Sequence, residues 1–508
     1  MYQFWDFERS NKIAFYLQDG STVTYSQLGN DVDSFVKNFS SERGILLIEC
    51  DGSYRQFVAY LAALLSGFPI ILGNENISKT NLSLTIKYIY HPAKDIFEIT
   101  DNTNRLKIHP DLSVLLSTSG STGDSKYVRL SYQNILSNAK SIANYLDIDK
   151  NEKAMLALPF NYSYGMSIVN SHLLVQASIV LTSHSVVDKE FWDKFYEIGC
   201  TSLAGVPHTF NLMEKNHIET SNQPSLRYMT QAGGKLPEEK VLYWANRSIQ
   251  ENWRFFVMYG QTEAAPRIAY LPPDLAVKNP SCIGIAIPHG KITIRDENDR
   301  ILSDGQQGEL VYEGPNTMMG YARDNEDLSR GQGSRTLYTG DIAVRHPNGL
   351  FEIVGRKSRF VKPFGLRISL DAVEQRLINA GIDATCGAYE DTMYVIVANH
   401  TSDEVNFDLE SISNDLTTWL KIPPEAFRIM SVDAIPLTPN GKVDGNSINK
   451  LIASWTIETS NDFNLQDKAG KNTTWYNKVL RAFGIGRSES VRDVFRHHFP
   501  KQHISATS

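Results

Sequence analysis

The sequence has little cysteine, and the cysteine it has follows no metal-binding pattern. Its four cysteines, Cys50, Cys200, Cys282 and Cys386, form no Cys-x-x-Cys pair and do not fall at a metal-ligand spacing. A disulfide framework and a cysteine-based zinc module are therefore excluded. We expect structural, reduced thiols and a reducing compartment.

Long hydrophobic runs are also missing. The most membrane-like stretch, "FVAYLAALLSGFPIILG" (residues 57–73), is interrupted by Gly67 and Pro69. It falls short of the roughly 20 apolar residues that a membrane helix needs, and it predicts a buried helix, a turn and a buried strand. The first residues have neither the basic nor the apolar segment of a signal peptide. We expect a cytoplasmic protein without a membrane span.

The chain has no excess of positive charge. It carries 50 Lys and Arg against 57 Asp and Glu, a net charge of -7, which argues against a nucleic-acid partner. Its 42% hydrophobic and 21% charged residues are typical of a globular protein. Because 508 residues exceed one ordinary core, at least two domains are expected.

The order of apolar and amphipathic segments predicts an α/β fold. Short apolar segments at 154–158 and 178–181 alternate with amphipathic candidates such as 192–198. Residues 284–361 contain "KITIRDENDR", "GELVYEG" and "GLFEIVGR", separated by turn residues, and predict a β-rich region.

One loop has the composition of a phosphate-binding site. The apolar segment 114–116 leads directly into "STSGSTGDSK", which ends on Lys126. Glycines let backbone N–H groups approach an anion, hydroxyls donate hydrogen bonds, and an ammonium neutralises charge. The glycine and lysine spacing does not match a GxxxxGK[ST] loop, so the anion is expected in another fold.

Four motifs follow this loop in a fixed order. They are "MYGQTEAAPR" (258–267), "LYTGDIA" (337–343), "GRKSRFVKPFGLRI" (355–368) and "PLTPNGKVDG" (436–445), with weaker matches at "VTYSQL", "LPFNYSYGM" and "QAGGKL". Together they resemble the adenylate-forming superfamily: acyl-CoA synthetases, adenylation domains of peptide synthetases, and luciferases. The resemblance covers about residues 20 to 450 and is far more specific than any one motif.

The resemblance implies a large N-terminal domain and a small mobile one. We expect an adenylation core at 1–357, made of layered α/β subdomains and a β-rich subdomain. A small α+β domain at 358–455 would carry the catalytic lysine and turn about a hinge at Ser358. Residues 456–508 would be a linker and a basic amphipathic tail, which fits either the start of an acyl carrier domain or a terminal helix that packs on the protein or on a membrane surface.

The resemblance also implies roles for individual residues. Lys442, Lys126, Thr262 and Glu263 would be catalytic, and Glu263 would hold Mg2+ through a hard carboxylate oxygen. Tyr259 would lie against the adenine. The remaining ATP-binding positions would be Ser117, Thr118, Ser119, Gly120, Ser121, Thr122, Gly123, Gly233, Asp341 and Arg356, the last two at the ribose. The acid pocket would draw on Tyr162, Met166, Gly205, His208, Ala232 and Ala264.

Two positions depart from the family pattern. The phosphate loop usually has a proline before its lysine, and here Ser125 stands there, so the turn is less rigid while donors and charge remain. The hinge position, commonly Asp or Lys, corresponds to Ser358, which predicts a differently tuned rotation.

The implied activity is an ATP-dependent acid–thiol ligase. A carboxylate would attack ATP to give an acyl-adenylate and pyrophosphate, and a thiol of CoA or of carrier-protein phosphopantetheine would then take the acyl group. Amino-acid-activating relatives pair the substrate ammonium with an aspartate in the segment 158–166, which has no acidic residue here. Because an unpaired buried ammonium is costly, an acid without an α-amino group is favoured. An amino-acid-activating domain and a non-catalytic nucleotide-binding protein are the alternatives.

Overall fold

The chain divides into two compact units. The computed structural model describes residues 3–73, 83–100, 106–117, 126–220, 223–357, 359–361, 363, 368–389, 392–398, 409–438 and 443–464, with the backbone alone at 425 and 457–464. The first unit comprises Met1–Thr339 and Ala343–Ile353, and the second comprises Gly340–Ile342 and the chain from Val354 onward.

The elements alternate along the first unit in the predicted α/β manner. Its strands are β1 (Ile13–Tyr16), β2 (Thr22–Thr24), β3 (Leu46–Glu49), β4 (Ile70–Gly73), β5 (Tyr88–His91), β6 (Ile96–Ile99), β7 (Leu112–Ser117), β8 (Tyr127–Ser131), β9 (Lys153–Leu156), β10 (Ser178–Leu181), β11 (Ser202–Gly205), β12 (Tyr228–Gln231), β13 (Arg254–Gly260), β14 (Arg267–Leu271), β15 (Cys282–Ala286), β16 (Lys291–Arg295), β17 (Gln307–Glu313), β18 (Gly320–Ala322), β19 (Thr336–Arg345) and β20 (Phe351–Arg356). Its helices are α1 (Tyr25–Val36), α2 (Tyr54–Ser66), α3 (Tyr132–Leu146), α4 (Ser163–Leu174), α5 (Lys189–Ile198), α6 (Pro207–Lys215), α7 (Glu238–Gln250) and α8 (Pro273–Ala276).

Two large sheets organise the described strands of this unit. One has the order β16-β17-β19-β20-β15-β14-β13-β12-β11-β9-β10-β1-β2, and the other has the order β18-β8-β7-β4-β3-β5-β6. In the first sheet β9 to β13 are parallel neighbours, whereas β14 turns back antiparallel to β13. The largest core cluster takes side chains from both sheets and from α2, α3 and α4. Ligand sites in parallel sheets form at the carboxyl ends of the strands, so β11, β12 and β13 present one common edge.

Local sequence explains where the site-bearing elements begin and end. Helix α3 starts at Ser131, whose hydroxyl accepts from the Asn134 N–H while the Asn134 side chain accepts from the Ser131 N–H. Helix α2 ends at Gly67, whose φ of 80° suits glycine. The buried helix, turn and strand predicted for 57–73 are therefore confirmed as α2, the Gly67 turn and β4.

The second unit is a small α+β arrangement. Its elements are β21 (Phe360–Val361), β22 (Ile368–Ser369), α9 (Leu370–Asn379), β23 (Ala384–Tyr389), β24 (Thr392–Ala398), α10 (Leu409–Leu420), β25 (Phe427–Val432) and α11 (Gly445–Asn464). Strands β23, β24 and β25 form one sheet. Helix α11 continues past the predicted boundary at 455 and includes residues 461–464, which composition assigns to a linker. Among the described helices, none is both long and apolar enough to cross a membrane.

Candidate active site

The phosphate loop leaves the sheet where the sequence predicts. Strand β7 ends at Ser117 and pairs antiparallel with β8, so that Ser117 lies opposite Tyr127. Residues 118–125, which contain most of the predicted phosphate donors, lie outside the described residues, as do Ser358 and Lys442. Lys126 closes the loop immediately before β8.

Tyr321 contacts both Lys126 and Glu263, and the sequence motifs do not single it out. The ammonium of Lys126 lies 4.0 Å from the centre of the Tyr321 ring, and the Tyr321 hydroxyl donates to Glu263 Oε1 at 2.8 Å. Burial and the nearby Glu263 carboxylate raise the pKa of Tyr321, so the hydroxyl keeps its proton and remains a donor. Three distant segments thus bring a cation, an aromatic ring and a carboxylate into contact.

This arrangement suits a divalent cation at Glu263. The Tyr321 hydroxyl donates to Oε1 of Glu263. The other carboxylate oxygen of Glu263, Oε2, has no hydrogen-bond partner among the residues the structure describes. The backbone oxygen of Glu263 accepts from the Met318 N–H at 2.8 Å, which fixes the residue from the other side. A fixed carboxylate with one available oxygen is the type of ligand that Mg2+ uses.

The remaining first-unit ATP positions lie near the carboxyl edge of the sheet. Tyr259 is near the end of β13, and Gly233, with φ of 87°, follows β12. The Thr262 hydroxyl is 3.3 Å from the Ser163 hydroxyl at the start of α4. Gly260 must be glycine, because a Cβ there would lie 1.8 Å from the Pro266 carbonyl oxygen.

The predicted pocket residues lie on several different elements. Gly205 and Ala232 are adjacent, since the Ala232 N–H donates to the Gly205 carbonyl at 3.2 Å. Tyr162 precedes α4, and His208 is in the first turn of α6. Met166 is fully buried in the core between the sheets, and Ala264 is buried in a separate core with strands of the β-rich region.

In the second unit, the predicted ribose residues pair with each other. Arg356 Nε lies 3.1 Å from Asp341 Oδ1, and the Asp341 carboxylate is buried while the arginine is exposed. The Arg356 N–H donates to Asp371 Oδ2 at 2.8 Å. The pair presents a carboxylate acceptor beside a cation.

The described residues on either side of Lys442 pair with each other. Leu437 and Val443 make an antiparallel bridge, and the Asp444 N–H donates to the Pro436 carbonyl at 2.9 Å. The Asp444 carboxylate accepts from Ser447 Oγ at 2.7 Å at the start of α11.

Part of the chain is similar to a known enzyme family. Residues 94–322, which contain Lys126, Glu263 and Tyr321, match the AMP-binding enzyme family. The matched segment is 229 of the 508 residues, less than half of the chain. This match confirms the predicted resemblance to the adenylate-forming superfamily, and the solved structures below confirm the α/β fold class.

Two relatives in sequence are ligases by name. A long-chain-fatty-acid–CoA ligase of Escherichia coli O157:H7 is 26% identical over 349 residues, which is 66% of this chain and 60% of the ligase. A D-alanine–D-alanyl carrier protein ligase of Streptococcus pneumoniae is 26% identical over 428 residues, 77% of this chain and 79% of that protein. The predicted class, an AMP-forming acid–thiol ligase, agrees with both names.

Solved structures share the fold. The O-succinylbenzoate coenzyme A synthetase of Bacillus subtilis, in complex with ATP and a magnesium ion, aligns with a TM-score of 0.69. The alignment covers 86% of this chain and 96% of that one at 19% identity.

Proposed function

We propose that this protein joins a carboxylic acid to the α-phosphate of ATP, releases pyrophosphate, and then transfers the acyl group to a thiol. The observation that carries the proposal is the contact series Lys126, Tyr321 and Glu263. In this series a lysine at the end of a phosphate-type loop and a carboxylate suited to a divalent cation contact the same tyrosine. A site for the phosphates of a magnesium nucleotide needs these two charges close together.

The physical problem of the first step is that one anion attacks another. Lys126 and the loop donors would hold the leaving phosphates, and Thr262 would contact phosphate beside them. Mg2+ bound at Glu263 would spread the phosphate charge. Tyr259 would lie against adenine, and Asp341 with Arg356 would take the ribose hydroxyls, because a charged acceptor binds O–H donors strongly.

Lys442 is proposed to act at the point where the two anions meet. Its ammonium would stabilise charge that develops between the attacking carboxylate and the α-phosphate. The small domain would then turn, so that the face with Lys442 leaves and the "KPFGLRI" face arrives for thiol attack. This alternation lets one site serve two reactions.

The proposed acid lacks an α-amino group. The segment 158–166 has no carboxylate to pair with a substrate ammonium, and an unpaired buried ammonium is costly. The acceptor is proposed to be CoA or the phosphopantetheine of a carrier protein. The four free cysteines support work in a reducing compartment, the cytoplasm.

The test separates the two half-reactions. Acid-dependent exchange between ATP and labelled pyrophosphate is measured across simple carboxylic acids and their matched α-amino acids, and thioester formation is measured with and without CoA. We expect exchange with simple acids to exceed exchange with amino acids. Higher turnover of amino acids would favour an amino-acid-activating domain, and no exchange with any acid would favour a non-catalytic protein.

Lys442→Ala tests the assigned chemistry. Loss of one preorganised charged donor should lower pyrophosphate exchange about a hundredfold, on the order of 3 kcal/mol. Conversion of a supplied acyl-adenylate to thioester should remain near the parent rate. The matched control is Lys450→Ala, an exposed lysine of α11. Equal loss in both half-reactions for Lys442→Ala would contradict the alternation.

A further inference from the structure

A buried arginine lies next to the adenylation motif without an acidic partner. Arg267, the first residue of β14, is only 2% exposed, and no described carboxylate forms an ion pair with it. Its guanidinium lies 4.7 Å from the centre of the Tyr164 ring and 3.5 Å from Ser167 Oγ. Its Nε is buried and has no hydrogen-bond partner among the described residues. Arg267 also forms a hydrogen bond with the Tyr145 side chain, but no described carboxylate neutralises its charge. Because buried charges are normally paired, this guanidinium is suited to bind an anion.

The guanidinium borders a small cavity. The cavity has a volume of about 20 Å³ and lies between α3, α4 and strands β9, β11, β12 and β13. Its polar lining includes Ser167, Ser171 and Thr230 beside Arg267. That volume holds one water-sized group, such as a carboxylate oxygen.

The other titratable groups of the cavity carry no charge near neutral pH. Burial lowers the pKa of His172 to about 4, so its ring is neutral. Its Nδ1 donates to the Ile168 carbonyl at 2.8 Å, and its Nε2 lies 3.3 Å from the Tyr228 hydroxyl, which donates to it. Burial raises the pKa values of Tyr164 and Tyr228.

The carboxylate of Glu152, which raises the pKa of Tyr228 at the cavity, already has partners outside the cavity. Glu152 forms an ion pair with Arg227 and accepts from the Thr201 hydroxyl. The cavity therefore has one permanent charge among the described residues, and that charge is positive.

The lining of the cavity lies close in sequence to residues of the predicted acid pocket. Thr230 lines the cavity, and Ala232, two residues later, belongs to the predicted pocket. Strand β12 ends at Gln231, and Ala232 follows it directly. Arg267 also lies opposite Gly260 in the β13–β14 pairing, which ties the cation to the "MYGQTE" motif.

We propose that Arg267 binds a second carboxylate on the acid substrate, so that the enzyme activates a dicarboxylic acid. This inference rests on the proposed function and deepens it. One carboxylate would react with ATP, and the other would pair with the guanidinium in the cavity. A site built to pair with a polar group rejects an analogue that lacks the group, because its own buried donor is then left unpaired.

The experiment compares acids of equal length. Pyrophosphate exchange is measured with succinate, glutarate and adipate against butyrate, pentanoate and hexanoate. We expect at least one diacid to exceed its matched monoacid by about a hundredfold in kcat/KM. Arg267→Met should lower kcat/KM for that diacid by about a hundredfold and leave the monoacid within about threefold. Arg267→Lys should retain part of the diacid preference, because the charge remains.

Arg254→Met is the matched control. Arg254 lies on the neighbouring strand β13, stacks on Phe256 at 5.6 Å and donates to the Leu146 carbonyl. It does not line the cavity, and its replacement should leave the acid preference unchanged. A preference for monoacids in the parent, or the same diacid-to-monoacid ratio in Arg267→Met, would overturn the inference while the proposed function stands.

Thermal unfolding supplies a readout without turnover. Removing an unpaired buried charge should leave the melting temperature of the free Arg267→Met protein unchanged or higher, whereas a purely structural arginine predicts a lower one. In the presence of MgATP, a diacid should stabilise the parent but not Arg267→Met. If no acid supports exchange, the proposed function fails. In that case, a diacid that stabilises the parent but not Arg267→Met still supports the subsite. If no diacid stabilises the parent, the subsite is overturned.

Discussion

Tyr321 connects the two charges on which the proposed phosphate site depends. Its ring faces Lys126 and its hydroxyl fixes Glu263, so one side chain orients both. Among the motifs of the sequence, nothing marks it, because a tyrosine in "MGYARD" is typical of an ordinary edge strand. The position acquires meaning only when strand β18 pairs with β8 beside the phosphate loop.

Two substitutions separate the functions of Tyr321. Tyr321→Phe keeps the ring and removes the hydroxyl that holds the carboxylate, so kcat/KM for ATP should fall about tenfold. Tyr321→Leu removes the ring as well and should lower it further. Steady-state pyrophosphate exchange at varied Mg2+ checks this. An effect of Tyr321→Phe that excess Mg2+ does not diminish would contradict the assigned role at Glu263.

His172 predicts a specific sensitivity to acid. Its pKa is about 4 in the folded protein because burial penalises the charged ring, and its ordinary value is 6.5. Between these values the unfolded chain binds a proton that the folded one does not, so stability falls as the pH drops below 6.5. From pH 7 to 4.5 the loss should be about 2 to 3 kcal/mol.

Urea unfolding of the parent and of His172→Gln at both pH values isolates this contribution. Other groups also titrate in this range, so the informative quantity is the difference between the two proteins. The variant should lose about 2 to 3 kcal/mol less than the parent. An equal loss in both proteins would show that the ring gains its proton without unfolding.

At the scale of elements, the local sequence pattern predicts single strands and helices better than it predicts which strands pair. The buried strands β7, β9 and β10, the helix α2 and the strands of the β-rich region follow from apolar periodicity. Periodicity does not tell which distant segments become neighbours. Tyr321 and Arg267 reach their positions through antiparallel partners, β8 and β13, that local sequence does not specify. Motif order therefore singles out Lys126 and Glu263 as candidates, but not Tyr321 and Arg267, whose positions depend on strand pairing.

Two arginines, the buried Arg129 and the half-buried Arg43, hold elements in place by donating to carbonyl groups. Arg129 on β8 donates to the carbonyls of Met319, Tyr321 and Arg330, and so fixes β18. Arg43 donates to five carbonyls, those of Gly67, Ile108, His109, Pro110 and Leu112, and joins the α2–β4 turn to the segment that enters β7.

These two arginines form a matched pair for a test at this scale. Replacing either by Met leaves several carbonyls without donors, so both variants should lose about 2 to 4 kcal/mol of stability. Only Arg129→Met should also raise the KM for ATP, because Arg129 positions the strand that carries Tyr321. Urea unfolding and exchange kinetics on folded protein check this. An equal rise in KM for Arg43→Met would remove the positioning role.

At the scale of the whole molecule, the end of the small unit determines where a truncation can be made. Trp455, Ile452 and Leu451 of α11 pack with Tyr394 in one core cluster, and the helix runs to Asn464. A cut at the predicted boundary, 455, would divide this helix. A cut after Asn464 keeps it whole and removes the basic tail.

Deleting the residues after Asn464 should leave acid-dependent pyrophosphate exchange within about twofold of the full chain. The proposed tail is a linker with a carrier-like or surface helix, and neither takes part in adenylation. Transfer to a carrier protein added in trans can be compared between the two forms. Loss of exchange in a folded truncated protein would make the tail part of the catalytic body.

Because the native thiols react poorly, the proposed domain alternation can be measured by fluorescence from dyes on introduced cysteines. Cys200, Cys282 and Cys386 are buried, and burial raises the pKa of all four cysteines, so little thiolate is present at neutral pH. A maleimide dye should react selectively with cysteines introduced at exposed Gln250 and Asn414, one in each unit. Energy transfer between two dyes could then follow each half-reaction in single molecules, with every native cysteine left in place.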